Sequence, residues 1–450
     1  KLKMSTTITA DDVTDFSGGG EDRRKVAILL AFCGVGYLGM QRNPGAKTIE
    51  GELEEALFHA GAVTEFDRGK PKQYEFTRCA RTDKGVSAVG QVVSGRFHVD
   101  PPGFVDRLNA NLPDQIRVFG YKRVTEKFSS KKFCDRRRYV YLLPVFALDP
   151  FTHRDREAVM ASLGSGEEYV KCFECSERGR KNKITGVVGK LKGDSFDAKS
   201  LNVRSDITSN SFSALRTDVK SKFCYGEEDK ERFNRILSYY VGSYNFHNFT
   251  TRIKADDPAA NRSIISFTAN TVISLDGIDF IKCEVLGQSF MLHQIRKMMG
   301  LAVAIMRNCA PESLINTAFS KDVNITVPMA PEVGLYLDEC FFTAYNNTKL
   351  EDSHEEVSME AYKEEAEAFK LKYIYSHIGS AERRYGSVAL WLHSLNYRNY
   401  PDLNYGRNGH NTEPVLVYKT VGETQETTKP EQNDESSQDK TSKDIMTVVA

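Results

Sequence analysis

The feature that most restricts the fold is a strand–turn–strand pattern around Asp83. Residues Gln73–Arg78 alternate polar and apolar side chains, and Ala88–His98 is rich in β-branched and aromatic types, so both are predicted to be strands. The turn between them places Asp83 between two cations, Arg81 and Lys84. An acid in such a turn can act as a nucleophile or a general base, or it can form a surface salt bridge. Composition alone favours the salt bridge.

The longer stretch Arg81–Val92 changes that balance. It reads Arg-Thr-Asp-Lys-Gly-Val-Ser-Ala-Val-Gly-Gln-Val and resembles the signature of the TruA class of tRNA pseudouridine synthases, in its eukaryotic form. The Asp of that signature is the catalytic nucleophile of the family, so the resemblance implies this role for Asp83. Further blocks similar to the family follow in the same order, over roughly residues 23 to 402, apart from one insertion.

Two of these blocks imply the other catalytic residues. Within Phe133–Tyr141, the residue that matches the active-site Tyr of the family is Tyr139. Arg296 matches the Arg that pairs with the catalytic Asp, and an Arg that reaches the surface is the alternative. The arginines 136–138 give this strand a basic character suited to phosphates, with an edge strand and a solvated charged face as the alternative.

The resemblance also implies contacts to RNA. The Tyr-x-Gly-x-Gln-Arg loop that ends at Arg42 borders the RNA cleft in the family. Arg42 is therefore a candidate phosphate contact, although an ordinary surface Arg is an almost equal alternative. The other candidate RNA contacts are Arg81, Lys84, Arg136 and His293.

Residues Gly34–Gly39 match the dinucleotide-binding pattern G-x-G-x-x-G, but we reject a nucleotide site there. In such a site the helix begins within the glycines, so that its N-terminus faces the pyrophosphate. Here apolar residues at helical spacing begin only behind a predicted helix cap at Thr48. The intervening loop is too long for a nucleotide-binding fold.

No metal or cofactor is expected. The nine cysteines are odd in number and scattered, which fits a reducing compartment better than a disulfide framework. The one close pair, Cys172 and Cys175, lacks a second pair or a nearby His that would complete a zinc site. The isomerisation that the family catalyses requires no redox partner, metal or nucleotide.

The length of 450 residues exceeds one typical core, so two halves are expected. Strand-rich halves with helices on one face predict an α+β fold. In the family, two similar halves join in a mixed, largely antiparallel central sheet with helices packed on it and a basic cleft between, and the eukaryotic branch adds a helical C-terminal extension. The predicted segments are a disordered tail (1–22), an N-terminal catalytic half (23–161), a mobile low-complexity insertion (162–225), a C-terminal catalytic half (226–345), a helical extension (346–405) and a disordered tail (406–450).

Local patterns in the second half predict three elements. These are a helix over Asp229–Val241, a hairpin over Thr271–Leu286 that turns at Asp276-Gly277, and a buried helix over Met291–Arg307. His247 is interpreted as a structural, hydrogen-bonding residue, because the resemblance gives it no chemistry.

The function implied by the resemblance is isomerisation of uridines in and around the anticodon stem and loop of tRNA. The eukaryotic branch also accepts some structured messenger RNA sites. The 61 basic and 61 acidic residues balance, so a basic cleft requires local clustering. A non-catalytic RNA-binding protein and a hydrolase that uses Asp83 are the competing classes, and a monomer is expected.

The sequence contains no apolar run long enough to span a bilayer. The basic run Arg178–Lys183 fits an RNA contact, a nuclear signal or a set of solvated charges. The Thr- and Asp-rich N-terminus disfavours a mitochondrial presequence within this chain. We expect a nuclear protein, or a mitochondrial one if a leader precedes Lys1.

Overall fold

The computed structural model describes residues 23–100, 102–152, 223–348, 354–397 and 399–405. The strands in these residues are β1 (Arg23–Phe32), β2 (Thr77–Arg78), β3 (Ser87–His98), β4 (Ile116–Arg123), β5 (Arg136–Pro144), β6 (Gly242–Asn245), β7 (Asn261–Leu275), β8 (Ile278–Gly287) and β9 (Leu335–Phe341). The α-helices are α1 (Ile49–His59), α2 (Phe104–Ala110), α3 (Ser130–Phe133), α4 (Glu227–Ser238), α5 (Gln294–Met306), α6 (Leu314–Phe319), α7 (Thr343–Asn346), α8 (Lys363–Phe369), α9 (Ser376–Tyr385) and α10 (Ser387–Ser394).

The strands form one sheet in the order β4–β1–β3–β9–β5–β8–β7–β6, with β2 beside β3. The pair β3–β9 is parallel, and it consists of Ser87 opposite Tyr336 and Ala88 opposite Leu337. The other strand pairs are antiparallel. The predicted α+β fold with a mixed, largely antiparallel sheet is thus confirmed.

The strand β5 lies near the middle of this sheet. It pairs with β8 on one side and with β9 on the other, and residues 139–144 are buried. The alternative of an edge strand is therefore excluded, because both edges of β5 are hydrogen-bonded. Since β9 lies between β3 and β5, the two predicted halves share one sheet, and the described residues fall within one compact unit.

Some predicted boundaries shift. The segment Gln73–Phe76 forms a turn in which Glu75 has a φ of 51°, so the predicted strand is reduced to Thr77–Arg78. The cap at Thr48 is confirmed, because its hydroxyl accepts a hydrogen bond from the Gly51 N–H at 3.2 Å. The hairpin of β7 and β8 turns at residues 276–277, as predicted.

The predicted buried helix over Met291–Arg307 begins later, at Gln294. His293 precedes it in the left-handed conformation, with a φ of 64°. The helix that was predicted over Asp229–Val241 spans Glu227–Ser238. The terminal tails and almost all of the 162–225 insertion, including Cys172 and Cys175, lie outside the described residues.

The C-terminal extension is helical from Lys363 to Ser394 apart from Gly386, and it includes a π-helical stretch at Lys370–Tyr375, whereas residues 354–358 are irregular. Among the helices that the structure describes, none combines the length and the apolar character needed to cross a bilayer.

Glu382 joins two helices of this extension through its carboxylate. The carboxylate accepts hydrogen bonds from the backbone N–H groups of Val388 at 2.7 Å and Ala389 at 3.2 Å, at the start of α10. Burial raises its pKa to about 7, against the effect of these two hydrogen bonds. The folded state therefore binds the Glu382 proton more tightly than the unfolded state does.

This linkage predicts that the free energy of unfolding declines as pH rises from 4.5, the pKa of Glu382 in the unfolded state, to about 7, its pKa in the folded state. The loss should amount to up to about 3 kcal/mol of unfolding free energy. Thermal melts at several pH values should show wild type losing stability relative to Glu382→Gln over this window. Glu365→Gln, on the exposed surface of α8, is the matched control and should follow wild type. Parallel curves for wild type and Glu382→Gln would contradict the prediction.

Candidate active site

Asp83 lies in the loop between β2 and β3, and a second loop supports this one through backbone contacts. The Met40 N–H donates to the Thr82 carbonyl at 3.3 Å, and the Gly85 N–H donates to the Tyr37 carbonyl at 3.2 Å. Residues 34–40 thereby support the loop that carries Asp83.

Two glycines of the G-x-G-x-x-G pattern make this contact possible. A Cβ atom at Gly34 would lie 2.4 Å from the Val86 carbonyl oxygen, and one at Gly39 would lie 2.8 Å from that of Thr82. Real Cβ atoms do not approach so closely, so these positions require glycine. The pattern serves close packing of two loops rather than a nucleotide.

The Asp83 side chain is 20% exposed and faces the start of α5. The His293 Nε2 atom lies 3.7 Å from one carboxylate oxygen, and the His293 backbone N–H hydrogen-bonds to the carboxylate. Burial raises the pKa of Asp83, whereas the charges of His293 and Arg296 lower it. The left-handed backbone of His293 brings this N–H and the positive end of the helix dipole to the carboxylate.

Arg296 is buried in the first turn of α5, and its side chain is 6% exposed. Its Nε donates to the Ala330 carbonyl at 2.7 Å, and a terminal nitrogen donates to the Glu332 carboxylate at 2.8 Å. Although both residues are described, Arg296 and Asp83 form no direct ion pair. The predicted ion pair between Arg296 and Asp83 is thus corrected. The guanidinium of Arg296 pairs with the Glu332 carboxylate instead, and Arg296 acts on Asp83 as a nearby charge.

Glu332 is a residue of this site that the sequence analysis missed. It follows Pro331 just before β9, and its carboxylate raises the pKa of Asp83. Asp83 therefore lies between opposing influences of Arg296 and Glu332. Glu332 lies 36 residues from Arg296 in the chain, and the sequence alone does not reveal that the two side chains meet.

Tyr139, on β5, is buried beside the same loop. Its ring meets the ring of Phe290 edge to face, with centroids 5.2 Å apart. Burial raises the pKa of Tyr139 far above its usual value, and the negative charge of Asp83 raises it further. Tyr139 is consequently a neutral phenol in this structure. The structure thus places both Tyr139 and Arg296 close enough to Asp83 for electrostatic interaction.

Positive groups also lie near His293. Burial lowers the pKa of His293, the Asp83 carboxylate opposes this, and the charges of Arg296, Lys297 and Arg252 lower it further. Arg252 is exposed. It was not among the candidate residues, because nothing in its neighbourhood in the sequence separates it from other surface arginines.

The predicted RNA contacts divide into two groups. Arg81 and Lys84 are exposed beside Asp83, and within the described part of the chain neither forms an ion pair. Arg42 instead pairs with the buried Glu54. The guanidinium of Arg136 contacts Asp135 at 3.1 Å and the Thr343 hydroxyl at 2.6 Å.

His247 contacts the Asn245 side-chain oxygen and the Val323 carbonyl, each at 2.9 Å. Both ring nitrogens are thus used within the fold, which agrees with a structural role.

Comparison with known proteins gives a consistent result. The family described as tRNA pseudouridine synthase matches residues 236–343. The chain is 36% identical to a mouse protein named Pseudouridylate synthase 1 homolog, over 85% of this chain and 78% of the relative. It is 34% identical to tRNA pseudouridine synthase 1 of Yarrowia lipolytica, over 85% of this chain and 75% of the relative. The human Pseudouridylate synthase 1 homolog is 35% identical, over 83% of this chain and 74% of the relative. Together with the signature around Asp83, these similarities show that the chain belongs to the TruA-type family of tRNA pseudouridine synthases, in its eukaryotic branch.

Proposed function

We propose that this protein isomerises uridine to pseudouridine in tRNA, in and around the anticodon stem and loop, with Asp83 as the nucleophile. The observation that carries the proposal is the half-buried Asp83 carboxylate, which lies against the His293 N–H and beside Tyr139 in a chain of this family. Family membership supports the reaction, and the geometry supports the assignment of the residue.

The reaction is an isomerisation, so its atoms balance without a co-reactant. The bond between the sugar and N1 of uracil breaks, a bond between the sugar and C5 forms, C5 loses a proton and N1 gains one. Asp83 opens the glycosidic bond by attack on the sugar or on the ring. A site that excludes water must then retain the uracil while it turns.

The surroundings of Asp83 suit this role. A nucleophilic carboxylate must be ionised, yet burial favours its protonated form. The charge of Arg296 and the His293 N–H counter this effect, whereas the His293 imidazole, whose own pKa is lowered by burial, adds positive charge only when it is protonated. We propose that Arg296 keeps Asp83 ionised through space while Glu332 and Ala330 fix the guanidinium in place.

Tyr139 suits packing against the base. Its ring has an apolar partner in Phe290 and lies close enough to Asp83 for their charges to interact. Because its pKa is raised, a phenolate that removes a proton from the sugar is disfavoured. We therefore assign Tyr139 to contact with the uracil rather than to proton abstraction.

The target nucleotide must leave its stack to reach Asp83, at a cost of a few kcal/mol. Arg81 and Lys84 lie on the exposed side of the loop, where phosphates of the displaced backbone would pass. We propose that Arg81 holds this backbone or occupies the vacated space.

One measurement separates this function from its competitors. Incubation of a tRNA transcript with the protein, followed by carbodiimide labelling, should reveal pseudouridine with no change in the mass of the RNA. A non-catalytic RNA-binding protein would leave the RNA unlabelled. A hydrolase would release free uracil, and either outcome would overturn the proposal.

The substrate proposal predicts recognition of shape. RNA is recognised largely through its backbone and its three-dimensional form, so we expect several modified sites in a folded tRNA and, by the same logic, in structured messenger RNA. A full tRNA transcript should be modified at least about tenfold faster than an unstructured oligonucleotide with the same local sequence. Equal rates for the two RNAs would contradict shape recognition.

A further inference from the structure

The proposed reaction requires a base for one further proton. Once the uracil is rejoined to the sugar through C5, this carbon still holds its hydrogen, which a base must remove. Asp83 is already engaged in opening the glycosidic bond, and the neutral phenol of Tyr139 is a poor base. The Glu332 carboxylate is paired with Arg296. The imidazole of His293 lies beside Asp83 as well, and it has no such partner.

Within the part of the chain that the structure describes, the ring of His293 forms no hydrogen bond. Its Nε2 atom lies 3.7 Å from a carboxylate oxygen of Asp83, which is beyond hydrogen-bond distance, and its Nδ1 atom is buried without a partner. His247 shows the opposite arrangement, since both of its ring nitrogens contact groups of the fold. The side chain of His293 remains 22% exposed, so a bound nucleotide can reach it. The ring is thus available to a substrate, which accounts for a polar atom that the fold leaves unpaired.

The backbone of His293 directs the ring towards the nucleophile. Its φ of 64° is a left-handed conformation, which costs free energy for a residue with a Cβ atom. The backbone N–H of the same residue hydrogen-bonds to the Asp83 carboxylate. One strained residue therefore presents both a hydrogen-bond donor and a ring nitrogen to the reacting group. Conformations of this kind cluster at functional sites.

The imidazole is held in the form that can accept a proton. Burial lowers the pKa of His293, and the neighbouring cations lower it further, although the Asp83 carboxylate opposes them. A neutral imidazole has one ring nitrogen with a free lone pair, and the other nitrogen carries the hydrogen. Since Nε2 faces Asp83, and therefore the sugar of a bound nucleotide, Nε2 is the atom placed to accept a proton there.

We infer that His293 is the general base of the last chemical step and takes the C5 proton of the rejoined uracil through Nε2. In this step the C5–H bond breaks, and its electron pair forms the double bond between C5 and C6. The π electrons of the C6–N1 bond move to N1, which takes a proton from water. The imidazolium then returns its own proton to water. The inference rests on the proposed function, because the step exists only if the uracil is detached and rejoined.

The experiment compares a tRNA transcript that contains uridine with one that contains 5-fluorouridine in its place. Fluorine cannot leave C5 as a cation, so 5-fluorouridine can pass through the steps up to rejoining but has no C5 proton for a base to remove. Asparagine tolerates the left-handed conformation, so His293→Asn keeps the backbone N–H at Asp83 and removes only the imidazole. In single turnover, this variant should convert uridine at least about a hundredfold more slowly than wild type. Nuclease digestion and chromatography should show that it consumes 5-fluorouridine at a rate close to that of wild type, which also shows that the variant is folded.

A second variant and a control complete the test. Glycine also adopts the left-handed conformation readily, so His293→Gly keeps the backbone and leaves space for a free imidazole molecule. Its rate on uridine should fall as in His293→Asn and should rise again with added imidazole, but not with sodium chloride at the same concentration. His59→Asn removes an exposed imidazole at the end of α1 and should match wild type on both transcripts.

The outcomes separate this inference from the proposed function. Wild type that makes no pseudouridine would overturn both. If wild type is active, three results would each overturn only the role of His293. These are a uridine rate in His293→Asn within about tenfold of wild type, equal slowing of the two transcripts, and no response of His293→Gly to imidazole.

Discussion

Asp83→Ala and Asp83→Asn should abolish pseudouridine formation, by about four orders of magnitude or more, while the protein stays folded and still binds tRNA. Both variants remove the nucleophilic carboxylate, and Asn preserves the shape of the side chain. Affinity for tRNA should fall less than about tenfold, because phosphate contacts carry most of the binding energy. Carbodiimide labelling measures the product, and filter binding measures the affinity.

Asp106→Asn is the control for this prediction. It removes an exposed carboxylate on α2 and should leave turnover and affinity unchanged. If either Asp83 variant kept more than about a hundredth of wild-type turnover, Asp83 could not be the nucleophile.

Arg296→Ala and Glu332→Gln should move the acidic limb of the pH–rate profile in opposite directions. The charge of Arg296 lowers the pKa of Asp83, so its removal should shift that pKa upwards and confine activity to higher pH. The carboxylate of Glu332 raises the same pKa, so the Gln variant should become active at lower pH than wild type. Measurement of kcat/KM against pH reports this ionisation in the free enzyme.

Arg296→Lys tests geometry rather than charge. Lysine keeps the positive charge but cannot contact both the Ala330 carbonyl and the Glu332 carboxylate through a planar fork. Activity should fall by about two orders of magnitude while the melting temperature changes little. Unshifted pH profiles in Arg296→Ala and Glu332→Gln would show that Arg296 positions the RNA instead of setting the ionisation of Asp83.

The sequence was sufficient for elements whose determinants are local. The helix behind Thr48 has its cap and its apolar spacing within twelve residues, and the turn at residues 276–277 is set by two neighbours. The segment 73–76 alternates like a strand, yet it turns at Glu75, whose carboxylate binds Lys25 and Arg96 from other strands. Tertiary ion pairs outweighed the local pattern there.

The part of the site that escaped prediction depends on partners far apart in the chain. Arg296 pairs with Glu332, and Arg136 reaches Thr343. A single sequence shows which residues carry charge or sulfur, but it does not show which of them the strand order brings together. The resemblance predicted Asp83 as the nucleophile, whereas the interactions that set the pKa of Asp83 are visible only in the structure.

The position of β5 has a consequence for how the enzyme is made. During translation, β1, β3 and β4 can pair with one another early, so the loop of Asp83 can form while the ribosome is still synthesising the second half. The strand of Tyr139 has no neighbour until β8 and β9 emerge, more than a hundred residues later. Its two unpaired edges are then open to wrong partners, as unpaired strands are in general. The nascent chain thus completes the surroundings of Tyr139 only after Phe341 has left the ribosome, which makes synthesis of β9 a condition for catalysis.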